Sequence, residues 1–228
     1  MIKDARFLGI PTLDADAETV VVIDVMRAFT VAAWAFARGA ERILLASDVE
    51  HALALKAKHP EALTCKDGPP AEGFDTVNSP GHMSRLDLTG RTLVQTTTSG
   101  TRGALAARHA RRVLCAGFVV AAATARTLRK QGSTGVTYLI TGDDGTAEED
   151  LACAEYIAAL VENPATPAAS FLRRARVSPA ANTLIEGVRR GYRGIHPDDV
   201  DLCLQADRFD FTIQVEDRDG TARLTHFE

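Results

Sequence analysis

The stretch Val20-Val21-Val22-Ile23-Asp24-Val25-Met26-Arg27-Ala28-Phe29-Thr30 decides the fold class. Its run of β-branched residues reads as a strand over 19–25 that is buried on both faces, as at the centre of a parallel sheet. A carboxylate interrupts the end of that strand, and an arginine and a threonine follow as the chain turns into an apolar helix. An acid there must be paired, hydrogen-bonded or bound to metal. Ligands of open α/β sheets bind at the carboxyl ends of the strands. Asp24 is therefore a candidate for chemistry, set against a structural role in holding Arg27 or a loop amide.

Outward from this stretch the pattern alternates. A helix from about 28 to 38 stops at Gly39, a strand spans 42–46, a helix spans 49–58, and a short strand spans 62–65. Such succession implies right-handed crossovers and a parallel sheet. Residues 66–84 dissolve into Gly, Pro, Asp and Asn, and a long irregular segment in a compact domain is usually functional. Within it, Asn78-Ser79-Pro80 offers polar groups on a stiffened backbone, or simply a surface turn.

The strand 92–96 runs into Thr97-Thr98-Ser99-Gly100-Thr101-Arg102. Hydroxyls, glycine and arginine at a strand-to-helix turn suit an anion, because free N–H groups and the helix dipole both favour negative charge. The alternative is that Ser99 merely caps the helix 100–110. A strand (112–116), a helix (about 120–131) and a strand (136–141) follow. Thr146 and Glu149 have capping-box spacing. Asp150 shares its helical face with Cys153, Ala154 and Ile157, so it points inward and reads as a metal or substrate ligand. Asn163–Ser170 is a connection, helices are expected near 167–176, 178–190 and 197–205, and a hairpin around Asp219-Gly220 ends the chain. One domain over 1–228 is expected, with 163–170 the place where two closely joined lobes would meet.

Composition narrows the function classes. Of 228 residues, 46% are hydrophobic and 25% charged, and the net charge of −4 argues against a nucleic-acid binder that neutralises phosphates. The four cysteines form no Cys-x-x-Cys pair and read as core residues of a cytoplasmic protein. Residues 1–4 begin no signal peptide. The uncharged runs 28–37 and 113–125 fall short of the ~20 residues of a membrane span, so no membrane partner is expected.

Ile23-Asp24-Val25-Met26-Arg27-Ala28-Phe29-Thr30, Gly73-Phe74-Asp75 with Asn78-Ser79-Pro80, Thr97-Thr98-Ser99-Gly100-Thr101-Arg102, Glu149-Asp150 with Cys153-Ala154, and Asp201-Leu202-Cys203-Leu204-Gln205 occur in one order. Together they resemble the 2-phosphosulfolactate phosphatase family, nearly end to end. The resemblance implies a three-layer α/β/α fold, here with a mainly parallel sheet and a C-terminal β-hairpin. It also implies Mg²⁺-dependent hydrolysis of a phosphomonoester on a small, doubly acidic hydroxy acid. Asp24, Glu149 and Asp150 are then expected on metal or water, and Arg27 and Arg102 on anionic oxygens. Thr30, Asn78 and Ser79 join the substrate-binding set, and Thr97, Thr98, Ser99, Gly100 and Thr101 hold phosphate. The chain departs from the family pattern at Lys66 and Asp67 (usually Glu-Arg), at Val77 (usually Gly), and at Ser99 and Ala121 (usually Asn). Lys66 is expected to point into the pocket. The expected partner is a small anionic phosphorylated substrate, with a homodimer left open.

Two alternatives stand beside this reading. One is a degenerate member that binds a phosphorylated acid without turnover. The other is a haloacid-dehalogenase-type phosphatase with Asp24 as nucleophile, although Met26 stands where that chemistry wants its second acid. A nucleotide-binding Rossmann domain is disfavoured, since no Gly-x-Gly-x-x-Gly follows a strand.

Overall fold

A computed structural model describes residues 4–14, 17–132 and 135–228. Its centre is β2 (Thr19–Ile23), all five residues of which are buried. Parallel neighbours flank it on both sides: β7 (Arg112–Ala116) and β8 (Gly135–Ile140). With both edges paired and both faces covered, only a continuous apolar strand fits this place. At the outer edge, β1 (Asp4–Gly9) pairs in parallel with β8. Its residues 4–7 are exposed, so the strand lacks the apolar run that marked β2.

A second parallel group consists of β3 (Arg42–Leu45), β6 (Thr92–Thr96), β4 (Leu63–Lys66) and the two-residue β5 (Thr76–Val77). The segment 66–84, read as irregular, thus contains β5 and the one-turn helix α3 (Pro80–Met83). In β3 the side chains alternate: Ile43 and Leu45 join the main core. Leu44 joins a second cluster with Ala52 and Leu55 of helix α2 (Val49–Lys58). Both faces of this part of the sheet are therefore covered.

The C-terminal hairpin, β9 (Thr212–Arg218) and β10 (Thr221–Phe227), lies between the two parallel groups. Strand β9 pairs antiparallel with β7, and β10 pairs antiparallel with β3. The ten-stranded order is β1-β8-β2-β7-β9-β10-β3-β6-β4-β5. The sheet curls, so that the carboxyl ends of β2 and β6, with four strands between them in this order, meet at one place. There the helices α1 (Ala28–Ala37) and α4 (Gly100–Ala107) begin. The helix α6 (Glu148–Glu162) starts beside them, after β8. Among the described residues no helix is long and apolar enough to cross a membrane.

Candidate active site

Asp24 is the first residue beyond β2. Its own amide bonds the Ala116 carbonyl, and its Oδ1 accepts from the Ala28 amide at 2.8 Å, which fastens the carboxylate to the first turn of α1. The Gly100 backbone crosses directly above it. A Cβ at position 100 would stand 2.5 Å from Asp24 Oδ2 and 2.6 Å from the Ala28 methyl, so only glycine permits the approach. Burial, reinforced by the Asp67 and Glu149 charges, pushes the Asp24 carboxyl up to about 7 against the pull of the Ala28 and Gly100 amides.

Asp150 points inward, as its helical phase requires. Its Oδ1 accepts from Val25 N at 2.8 Å and its Oδ2 from Gly142 N at 3.2 Å, which ties the end of β2 to the end of β8. Burial first, then the Asp24 and Glu149 charges, raise its pKa well above the ordinary range, and the two amides oppose the rise.

Glu149 is buried, and among the described residues its Oε2 has no hydrogen-bond partner. The expected capping box is absent. The Thr146 hydroxyl bonds the Asp143 carbonyl, and the residue before α6 is Ala147, so the spacing that suggested a cap belongs to the preceding turn. Burial also raises the Glu149 pKa, helped by Asp143 and Glu148 and offset in part by the Ser178 hydroxyl. A carboxylate with an orphaned oxygen among other acids is a net destabiliser. Glu149→Gln is therefore expected to raise the melting temperature at pH 8, measured by calorimetry; a loss of several degrees would restore the capping role.

A cavity of about 1300 Å³ opens over these groups, and Arg27, Asp67, Ser99, Asp143 and Glu149 are among the residues of its wall. Arg27 donates from Nη1 to the buried Asp199 at 2.6 Å and to the Gly194 carbonyl at 2.9 Å. The Thr97–Thr101 turn is less open than its composition suggested. The Thr97 hydroxyl accepts from the Thr101 amide and donates to the Thr101 hydroxyl, both at 2.9 Å, so Thr97 rather than Ser99 caps α4. Thr98 gives its amide (2.8 Å) and hydroxyl (3.1 Å) to Asp67. Ser99 remains, at the cavity wall, with no side-chain cap bond.

Several other candidates are placed elsewhere. Lys66 does not line the cavity: its ammonium bonds the Asp67 and Pro69 carbonyls and lies 5.8 Å above the Phe74 ring, while Asp67 faces inward. Asn78 is buried, donating to Asp67 at 2.8 Å and accepting from Gln95 at 3.3 Å. Ser79 donates to Asp199 at 2.6 Å. Thr30 is buried and donates to the Val25 carbonyl, which braces the turn that carries Arg27. Arg102 is exposed on α4, outside the wall.

The opposite wall was not anticipated. It comes from the helix α8 (Pro179–Arg189) and the loop after it, with Arg190, Tyr192 and Arg193 at the rim. The basic and aromatic run Arg189-Arg190-Gly191-Tyr192-Arg193 was the sequence signal available for it.

Among the described residues no group of three or more His, Cys, Asp or Glu side chains is already arranged as a metal cage. Mg²⁺ does not require one: it is commonly bound through one or two carboxylates plus water and phosphate. The unpartnered Glu149 Oε2, on the cavity wall, fits that demand.

A profile of the 2-phosphosulpholactate phosphatase family matches residues 9–218. The chain belongs to the 2-phosphosulfolactate phosphatase family. A relative from Bacillus subtilis, named a probable 2-phosphosulfolactate phosphatase, is 37% identical over 175 residues, 75% of this chain and 77% of its own. One of the same name from Parasynechococcus marenigrum is 31% identical over 212 residues, 86% of this chain and 88% of its own. In this member of the 2-phosphosulfolactate phosphatase family, two of the departures from the family pattern, Asp67 and Ser99, both line the cavity.

Proposed function

We propose that the protein is a Mg²⁺-dependent phosphoric monoester hydrolase acting on a small acidic hydroxy acid phosphate of the 2-phosphosulfolactate kind. Membership of a phosphatase family supports the reaction class. The observation that carries the reading is a cavity whose wall holds Arg27 and the buried Glu149, with the buried acids Asp24 and Asp150 close enough behind that wall for their charges and that of Glu149 to act on one another. Excess buried negative charge is unfavourable unless a cation or a proton offsets it, and active sites are where such clusters concentrate.

Phosphate monoesters resist attack because their oxygens repel nucleophiles, so positioning and charge neutralisation dominate catalysis. Arg27 supplies a fixed positive charge for the phosphoryl oxygens. Asp24, titrating near 7, accepts a proton from water near neutral pH with a usable driving force. Asp150 holds the β2 and β8 ends in place through its two amides, which fixes where Asp24 stands. Arg190 and Arg193 at the rim suit the second acidic group of the substrate. Glu149 would hold Mg²⁺, which when bound neutralises phosphoryl charge and leaves Asp24 to take the proton.

A panel of small phosphomonoesters, including 2-phosphosulfolactate and 2-phospholactate, assayed with and without Mg²⁺, tests this. Metal-dependent phosphate release that prefers the doubly acidic esters is expected. Release unaffected by a chelator would remove the metal from the reading, and binding without release would remove the phosphatase.

The same acids govern stability. The folded state holds the Asp24 proton up to about 7, whereas an unfolded aspartate loses its proton near ~3.9. Between those values the folded state binds more protons at this site, so the Asp24 contribution to metal-free stability is fully present below ~3.9 and is lost as pH rises through about 7. Mg²⁺ binds the ionised acids, so it should raise the melting temperature more at pH 8 than at pH 5.5. Equal shifts at the two pH values would place the ion elsewhere.

A further inference from the structure

Asp199, at the start of the short helix α9 (Asp199–Cys203), is fully buried and lies outside the cavity wall. Its Oδ1 accepts from Ser79 Oγ at 2.6 Å and Gly81 N at 2.9 Å. Its Oδ2 accepts from Arg27 Nη1 at 2.6 Å and His196 N at 3.0 Å. A carboxylate buried this completely persists only when its oxygens are satisfied, and these donors satisfy them.

The donors come from three places: the turn after β2, the 79–81 turn, and the loop behind the Tyr192–Arg193 rim. A plain structural staple would account for the two amides and the serine. It would not account for the way the guanidinium is used. Asp199 and the Gly194 carbonyl both engage Nη1. Among the described residues Nε and Nη2 of Arg27 have no hydrogen-bond partner, neither is a sealed orphan, and the side chain lines the cavity. A guanidinium is a rigid planar fork, so fixing one nitrogen directs the others.

We propose that Asp199 is a positioning residue: it holds the Arg27 guanidinium so that Nε and Nη2 are presented to the phosphoryl oxygens of the substrate. This rests on the phosphatase reading above.

The test is a double-mutant cycle between Asp199→Asn and Arg27→Gln. Phosphate release from 2-phosphosulfolactate and inorganic phosphate binding by calorimetry are both followed. Asp199→Asn keeps the shape but removes the charge that pairs with the guanidinium, so kcat/KM should fall by ~10²-fold, as for misplacement of a positioning group. Arg27→Gln should cost as much, and the double variant no more than Arg27→Gln alone. A structural staple predicts the opposite: losses that multiply and follow the melting temperature. Ser79→Ala removes one bond to Asp199, together with the hydroxyl's contacts to His82 N and Nδ1, and keeps the ion pair, which provides a variant should Asp199→Asn fail to fold. Its kcat/KM should fall several-fold in the wild-type background and not at all beside Arg27→Gln. Multiplying losses in either cycle, or wild-type kinetics in folded Asp199→Asn, would overturn the proposal. A wild type that binds phosphate without releasing it from any ester overturns the phosphatase reading alone, and the cycle is then read in the phosphate Kd.

Discussion

Asp24→Asn should melt higher than the wild type at pH 8 and release phosphate at least ~10²-fold more slowly, the typical worth of a positioned acid or base. The two effects have one origin. Asp24 is a buried acid pushed up to about 7 by desolvation and by Asp67 and Glu149, so ionising it at pH 8 works against the fold. Asparagine keeps the carbonyl oxygen that accepts from the Ala28 amide at 2.8 Å and gives up only the weaker pull of the Gly100 amide on the other oxygen. What disappears is the group that takes the proton. Rates and calorimetric melts at pH 8 check both halves. A variant that keeps more than about a tenth of the activity would confine Asp24 to holding the turn, because a catalytic acid or base is worth far more.

Asp150→Asn should lose as much activity and, unlike its neighbour, melt well below Asp24→Asn. Both carboxylate oxygens of Asp150 are in use, one by Val25 N and the other by Gly142 N. An amide can accept only one of these, and its NH₂ then faces a buried N–H. Leaving such a donor unpaired is worth about 1–3 kcal/mol. Relief of repulsion from Asp24 and Glu149 acts in the other direction, which makes the comparison with Asp24→Asn informative: both relieve charge, and only one breaks a tie between β2 and β8. Equal melting temperatures for the two variants would show that the Asp150 tie adds nothing.

The sheet was readable because β2, β6 and β7 are buried and their residues say so. Edge strand β1 was not, since four of its six residues face solvent and carry no periodic signal. Asp150 could be aimed inward from helical phase alone. Glu149 could not, because Thr146 and Glu149 have the spacing of a cap whether or not the chain makes one. Lys66 and Asp67 illustrate a different limit. Neighbours at a strand end face opposite ways, so a one-residue choice decides which of them reaches the cavity. Asp199 is beyond sequence reasoning: Asp198, Asp199 and Asp201 look alike on paper, and only packing against Ser79 and Arg27 distinguishes the buried one. The hydroxyls of Thr97 and Thr98 advertised an anion cradle, yet Thr101 and Asp67 already engage them. Composition reports which donors exist, not which remain free.

The place of β9 and β10 in the sheet has a consequence for biosynthesis. All other described strands precede them, yet they fill the gap between β7 and β3. A nascent chain that has emerged as far as α9 can pair β2 with β7 and β8, and β3 with β6. It then carries two raw strand edges with nothing to join them. Such edges recruit other chains. Until residues 212–227 leave the ribosome, the contact of α4 with β2 and of α1 with α3 can hold the two groups together, but the edges of β7 and β3 stay bare. The hairpin closes both edges at once. The seam of the sheet is thus the last part of the molecule to be sealed.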